Sequence, residues 1–474
     1  MDKTMILQER TSEIASTSQK IRDFLTSVLD EKSFVETNAF LFSCGDTYLG
    51  NPTKGEGVIT GYGTVGDMPV YVYAQNQEVL GAGLGKAGAD KILKVLELAE
   101  KTSTPVLAII DSNGARLGEG VEALSGYARI MKKVASLSGV VPQIAVVKGK
   151  AIGQMEYIVA MQDFCFMNET AVCASQSAEV LTLQAGGNKK AVDLFGASMH
   201  AEKTGLCSKV VTDATVRGEI ITLLDLILCS GAEDVSSVAG NKAIAGMSNR
   251  DALKAIADGG AVYEIGEKYE SALFTSLARI GGSTVAFIGT DNATLTGKMA
   301  KKAARFARFA ELFAIPMVTL VDCLGKDACV ACEQTPEASE IATLLYTIAD
   351  TTNAKIGVIT KNAVGVGFTA FASKELGYDY TIACADAFVS AIPAGTAAEI
   401  VYGDEVKKAS DPAKAREAIN AKYKEVDGDP FNSAKNGEID TIIDPTFLRA
   451  YIMQALVSLE YKESLSQGVG NMPL

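Results

Sequence analysis

From Val70 to Ala74 the chain is a short β-rich run, and from Lys86 to Lys101 apolar residues recur at helical spacing. Val106 to Ile110 is a continuous apolar run that ends in Asp111-Ser-Asn-Gly. A helical pattern from Val121 to Ser136 follows, then a second buried run at Ile144 to Val147 and a turn at Gly149 to Gly153. Uninterrupted apolar strands alternating with helices predict a sheet covered by helices, which is α/β architecture. The first ~28 residues predict a polar amphipathic helix packed outside this unit, and the residues after about Ser410 predict a helical extension.

The pattern occurs twice. Asp30 and Glu36 are echoed by Asp258 and Glu264, and Thr60, Val65, Gly66 and Val70 by Thr275, Ile280, Gly281 and Val285. Ala99-Glu100 and Pro105 to Asp111 return as Ala310-Glu311 and Pro316 to Asp322, at a constant offset of 211. Ile144 to Val147 with Ala151-Ile-Gly153 then matches Ile356 to Ile359 with Ala363-Val-Gly365, and Ala178-Glu179 matches Ala398-Glu399. The order of these short matches predicts an internal duplication, one α/β domain per half. Apolar periodicity lapses between Gly231 and Gly246, which sets the expected domains at 1–236 and 237–474.

Composition narrows the chemistry. With 474 residues, 48% of them hydrophobic, each half is large enough to bury a core without disulfides or metals. The formal charge of −13 opposes binding to nucleic acid or an anionic membrane. No stretch reads as a membrane span or a signal peptide, so a cytoplasmic protein is expected. Nine cysteines, several at apolar positions such as Cys165, Cys173 and Cys384, suggest reduced thiols acting as small hydrophobes. Cys323, Cys329 and Cys332 contain a C-x-x-C without a second pair or a nearby histidine, so no metal site is expected. His200 is the single histidine, which argues against Ser-His-Asp, Cys-His and most zinc hydrolysis and favours catalysis by backbone donors.

Two loops in each half leave a buried strand and turn through glycine. They are Asp111-Ser-Asn-Gly-Ala-Arg116 and Gly149-Lys-Ala-Ile-Gly-Gln154, then Asp322-Cys-Leu-Gly325 and Ala363-Val-Gly-Val-Gly367. A strand, a glycine turn and a helix start present free amides beside a partial positive charge, a plausible oxyanion or phosphate site. Arg116, just after a turn, is a candidate ligand for an anion, whereas Lys86, Lys91, Lys298, Lys301 and Lys302 read as lysines on exposed helix faces. Glu156 and Glu179 are candidates for an acid/base pair, and His200 reads as a hydrogen-bonded structural residue.

With these loops in view, the chain resembles the carboxyltransferase component of biotin-dependent acyl-CoA carboxylases and decarboxylases. The resemblance runs from Leu29-Asp-Glu-Lys-Ser-Phe-Val-Glu36 through Gly57 to Gly63, Asp111 to Gly120, Ser125-Gly-Tyr127, Ser138 to Gln143 and Thr360 to Gly365, ending at Gly470-Asn-Met-Pro-Leu474. His200 and Gly205 also match a family segment. The resemblance implies two tandem crotonase-like spiral domains, a homo-oligomer between dimer and hexamer, and active sites formed between halves of different protomers. It implies one oxyanion hole for the acyl-CoA thioester, from Gly114, Gly153 and Gln154, and one for the ureido oxygen of biotin, from Val366 and Gly367. Asn113, Ala115, Arg116, Gly325 and Gly365 would line the substrates.

The chain has neither a biotinylation motif nor an ATP-binding segment, so biotin is expected on a separate biotin carboxyl carrier protein. The remaining partner would be a biotin carboxylase or the pump subunits of a membrane decarboxylase. The chain departs from the family pattern at Asn113, Gln154 and Val366, where glycine is usual. A Cβ at these positions means either that the loops use φ below zero there or that the site has changed. Two other readings remain: an acyl-CoA hydratase or isomerase using Glu156 or Glu179, and a non-catalytic paralogue serving as an assembly scaffold.

Overall fold

The computed structural model describes residues 2–41, 55–229, 244, 246–326, 329–462 and 471. The chain divides into two compact units, residues 1–225 with 468–474, and residues 226–467. The expected linker from Gly231 to Gly246 falls almost wholly outside the described residues, as do all the terminal residues Gly470 to Leu474 except Asn471.

In the first unit the strands are β1 (Val35–Thr37), β2 (Val58–Val65), β3 (Met68–Gln75), β4 (Val106–Ser112), β5 (Gln143–Ile152), β6 (Phe164–Asn168), β7 (Val172–Ala174) and β8 (Lys209–Val211). They form one sheet in the order β1-β2-β3-β4-β5-β6-β8, with β7 paired to β5. The first three strands are antiparallel and the rest parallel. The second unit repeats this plan with β9 (Val262–Ile265), β10 (Leu273–Ile280), β11 (Ser283–Thr290), β12 (Met317–Cys323), β13 (Lys355–Val364), β14 (Tyr380–Cys384), β15 (Phe388–Ser390) and β16 (Thr441–Ile443). Its order is β16-β14-β13-β12-β11-β10-β9, with β15 paired to β13. Ile110 and Val321 therefore sit on equivalent strands, and both are followed by the same register shift.

Helices α1 (Lys3–Ser16) and α2 (Gln19–Val28) replace the single N-terminal helix that was expected, because Ser16-Thr-Ser18 interrupts it. α2 buries Ile21, Phe24, Leu25 and Val28 and belongs to the repeat, since the helix Asn249–Ile256 takes its place in the second half. Arg22 on α2 pairs with Glu36 as Arg250 pairs with Glu264. Two further helices pack on the first sheet, α3 (Lys86–Thr102) and α4 (Val121–Leu137). Their Ile92, Leu96, Tyr127 and Ile130 join Ala108, Ile110, Ala145 and Val147 in one core. The C-terminal extension is not wholly helical: Thr441-Ile-Ile443, too short to show a period, pairs parallel with β14 where β8 pairs with β6.

The hairpin turns are clamped alike. Asp30 accepts the amides of Gly66 and Asp67 at 3.0 and 2.9 Å and pairs with Arg217 at 2.6 Å. Asp258 accepts those of Gly281 and Gly282 at 3.0 and 2.7 Å and pairs with Arg449 at 2.6 Å.

Candidate active site

Strand β4 carries Asp111 out of the core and into the first turn. The Asp111 carboxylate accepts the Lys150 amide at 2.9 Å and Gln77 Nε2 at 3.1 Å, which fastens β4 to β5. A Cβ on Gly149 would lie 2.3 Å from this carboxylate, so the glycine admits the lock and lies inside β5. The second turn therefore begins at Gly153, later in the chain than expected. Asp322 does the same work in the second half, accepting from Asn362 Nδ2 at 2.7 Å.

Gly114 has φ +105° and Gly325 φ +84°, values open to glycine, and their carbonyls accept the amides of Leu84 at 2.9 Å and Leu295 at 2.8 Å. A Cβ on Gly114 would meet the Ile152 carbonyl at 3.2 Å, and one on Gly325 the Val364 carbonyl at 2.9 Å. Each first turn thus rests on the strand end that leads into the second. Gly153 (φ 67°, ψ −134°) and Gly365 (φ 51°, ψ −122°) make that second turn, and both amides are taken, by Ala174 O and Ser390 O at 2.9 Å each. Helix α5 (Gln154–Ala160) and the helix Val366–Ala372 start at the next residue.

These bonds decide which amides are free. Gly114 N–H donates to Ser112 Oγ at 3.1 Å and Gly153 N–H to Ala174 O, so both amides are engaged within the fold. Among the described hydrogen bonds, none takes the N–H of Ala115, Gln154, Met155, Val366 or Gly367. Met155 was missed by sequence reasoning. The offset of 212 between Gly153 and Gly365 would have found it, because that offset carries Gly367 onto Met155. Gln154 and Val366 are first helical residues, outside the positive-φ set, so their Cβ atoms impose no strain. Gly367 is needed for space: a Cβ there would lie 2.6 Å from Cys323 Sγ. Asn113 is exposed, and its side chain lies against Gly81.

Arg116 is enclosed in a buried cluster of charges. Its side chain is 1% exposed and is held by Glu56, equally buried, and by Glu119 at 3.0 Å. Lys91 and Lys302 are also buried, contrary to expectation, and Lys302 Nζ donates to the carbonyls of Gly266, Tyr269 and Leu273 at 2.6–2.9 Å.

The two glutamates have opposite environments. Burial raises the pKa of Glu156, while Glu179, exposed on its helix, is lowered chiefly by the Ser177 hydroxyl at 2.7 Å. Glu156, Cys173 and His200 bring possible ligand atoms within 4.8 Å of one another. Both His200 nitrogens are engaged, however, Nε2 with Cys173 O at 2.9 Å and Nδ1 with Thr204 Oγ1 at 3.0 Å. Burial also pushes the Cys173 thiol well up, so a metal ion would have to displace an existing bond. Cys165, Cys173 and Cys384 are buried and outside any disulfide, as expected, but Cys329 and Cys332 form a disulfide, a correction to the all-reduced reading. Their Cα atoms are 5.2 Å apart, close enough to be bridged.

Beside the second-half turn lies a cavity of about 580 Å³, lined by Gly365, Phe368, Val389, Ser390, Tyr423 and Glu438, among others. The duplicated turns each carry unengaged amides at a helix start, among the described residues. Residues 13–467 match the model of the carboxyl transferase domain. The chain belongs to the carboxyl transferase family. It is similar to the propionyl-CoA carboxylase beta chain of Cereibacter sphaeroides, with 32% identity over 93% of this chain and 91% of that one. It is 32% identical to the methylmalonyl-CoA decarboxylase subunit alpha of Veillonella parvula, covering 96% and 92% of the two chains. Among solved structures it resembles transcarboxylase 12S, described as a hexamer assembly with methylmalonyl-coenzyme A and methylmalonic acid bound. There the TM-score is 0.88 and the identity 28%, over 99% of this chain and 98% of that one. The two units have the duplicated crotonase-like α/β fold, and the chain is a carboxyltransferase. Among the described residues no helix is long and apolar enough to cross a membrane.

Proposed function

We propose that this chain is the cytoplasmic carboxyltransferase subunit of an acyl-CoA carboxylase or a biotin-dependent decarboxylase, acting on a small acyl-CoA of the methylmalonyl type. Biotin arrives on a separate carrier protein, with a biotin carboxylase or the membrane pump subunits of a decarboxylase completing the system. The subunit works as a homo-oligomer, in keeping with the hexamer described for transcarboxylase 12S. The observation that carries this reading is the pair of matched helix starts whose amides have no acceptor among the described residues.

In the first half, Ala115, Gln154 and Met155 donate to the thioester oxygen and stabilise the negative charge that develops there when the α-carbon becomes a nucleophile. In the second half, Val366 and Gly367 donate to a ureido oxygen. The 580 Å³ cavity, with Phe368 and Val389 as apolar walls and hydroxyls at its edge, suits a small bicyclic ring. Biotin, when bound, supplies the nitrogen that carries the carboxyl group. Neither half needs a histidine, because preorganised amides supply the stabilisation.

The test is carboxyl transfer from malonyl-, methylmalonyl- and glutaconyl-CoA to free biotin. Transfer from at least one is expected, and methylmalonyl-CoA should have the highest kcat/KM. Failure with all three overturns the reading.

A further inference from the structure

Beside each glycine turn lies a second matched device. In the first half a wide helical turn runs from His200 to Thr204 and closes with Gly205 N–H on His200 O at 2.9 Å. In the second, Tyr423 to Asp427 closes with Gly428 N–H on Tyr423 O, also at 2.9 Å. His200 and Tyr423 hold the same place, the first residue of the turn. Each reaches the short strand that braces its glycine. His200 Nε2 lies 2.9 Å from Cys173 O, and the next residue, Ala174, offers the carbonyl that takes Gly153 N–H. Tyr423 OH lies 2.9 Å from Ser390 Oγ, and Ser390 O takes Gly365 N–H. Ser390 Oγ already donates to Ile392 O at 2.6 Å, so the phenol is the donor in that pair. Facing a carbonyl, His200 carries its proton on Nε2 and accepts from Thr204 at Nδ1. An imidazole and a phenol, chemically unrelated, thus reach the corresponding short strand from equivalent positions, one at a backbone carbonyl and the other at a hydroxyl one residue further on.

We propose that His200 and Tyr423 are positioning residues. Through β7 and β15 they set the angle at which the amides of Gln154 and Met155, and of Val366 and Gly367, meet the substrates. The inference rests on the assignment of these turns as the anion-binding ends of carboxyl transfer. Displacing such donors by about 1 Å costs on the order of a hundredfold in rate.

The experiment uses the full-length protein, methylmalonyl-CoA and free biotin, with amide exchange followed by mass spectrometry on the peptides spanning 152–160 and 364–372. Tyr423→Phe is expected to lower kcat by about ten- to a hundredfold and to speed exchange at 364–372 but not at 152–160. Ser390→Ala should lose as much, and the double variant no more than either single one. His200→Leu should show the mirror pattern, with CoA-thioester binding weakened and biotin KM unmoved. His200→Gln, which keeps an N–H for the Cys173 carbonyl, should restore most of kcat. Wild-type kcat in Tyr423→Phe, additive losses in the double variant, or no rescue by Gln would overturn the proposal. Should Tyr423→Phe fail to fold, Ser390→Ala decides alone. If the wild type transfers no carboxyl group, the functional reading falls, while the exchange pattern still judges whether the turns are braced by these residues.

Discussion

Arg116 shows how far burial can redirect a residue. By sequence it follows a glycine turn and suits an anion. In the fold it is enclosed with Glu56, and Glu119 completes the cluster at 3.0 Å. Removing Glu56 leaves the buried guanidinium only Glu119 at the edge of the cluster, so Glu56→Ala should cost about 3 kcal/mol of stability, measured by denaturant unfolding. A loss below about 1 kcal/mol, the range of surface pairs, would contradict this picture. His200 offers an NMR pH test that no other side chain can confuse, because it is the single imidazole of the chain. Burial lowers its pKa, with the Cys173 carbonyl opposing; Glu156 and Cys173 face it, and Thr204 sits on Nδ1. The folded state then resists a proton that the unfolded chain accepts near pH 6.5. Stability should therefore fall as pH drops below about 6.5, down to the folded pKa, and stay flat with respect to this group above it. His200→Gln should lack that acid-side loss, and the ring NMR signal of the wild type should titrate below pH 6.5.

At the scale of an element, the strand, glycine turn and helix start form one unit, and their order explains which residues matter. Gly153 stands at φ 67°, ψ −134°, with open space where a Cβ would go. Gly153→Ala should therefore cost about 1 to 3 kcal/mol through backbone strain alone, read as a lower thermal midpoint. Val366 is the first residue of its helix, a position where proline keeps a helical φ and removes only an N–H that the helix does not use. Val366→Pro should lower biotin-dependent turnover by about 10²- to 10³-fold, with acyl-CoA binding to the first half retained. Unchanged turnover, or equal loss of CoA binding by calorimetry, would remove this loop from the proposed biotin site. Val366→Gly, which keeps the donor, should be tolerated.

Across the whole molecule, the duplication extends beyond the active loops. Asp30 and Asp258, with Arg217 and Arg449, clamp equivalent hairpins, and the two sheets share one strand order. For Asp30, burial disfavours ionisation, but the bonds from Thr64, Arg217 and the amides of Asp67 and Gly66 outweigh it and hold the carboxyl well below its usual range. Such a group contributes stability above the unfolded carboxylate pKa of about 3.9 and loses it as pH falls toward the folded value. The proposed homo-oligomer makes a separate prediction: light scattering should give an integer multiple of the chain mass under assay conditions. A monomer that still transfers carboxyl groups would refute it.

By itself the sequence determined the α/β class, the duplication and the four glycine loops, because apolar runs, helical periods and glycine at strand ends are local signals. The recurrence of Asp111 at Asp322 and of Gly153 at Gly365 made the repeat legible without any fold. Tertiary structure decided what each loop offers. Whether an amide is free depends on whether a distant carbonyl, such as Ala174 O or Ser390 O, has taken it, and no spacing along the chain records that. The same holds for Arg116, whose partner Glu56 lies 60 residues away. It holds also for Thr441 to Ile443, a strand only because β14 lies beside it. Local periodicity is set by the neighbours in the chain, whereas hydrogen-bond partners and burial are set by segments that meet only after the sheet has closed.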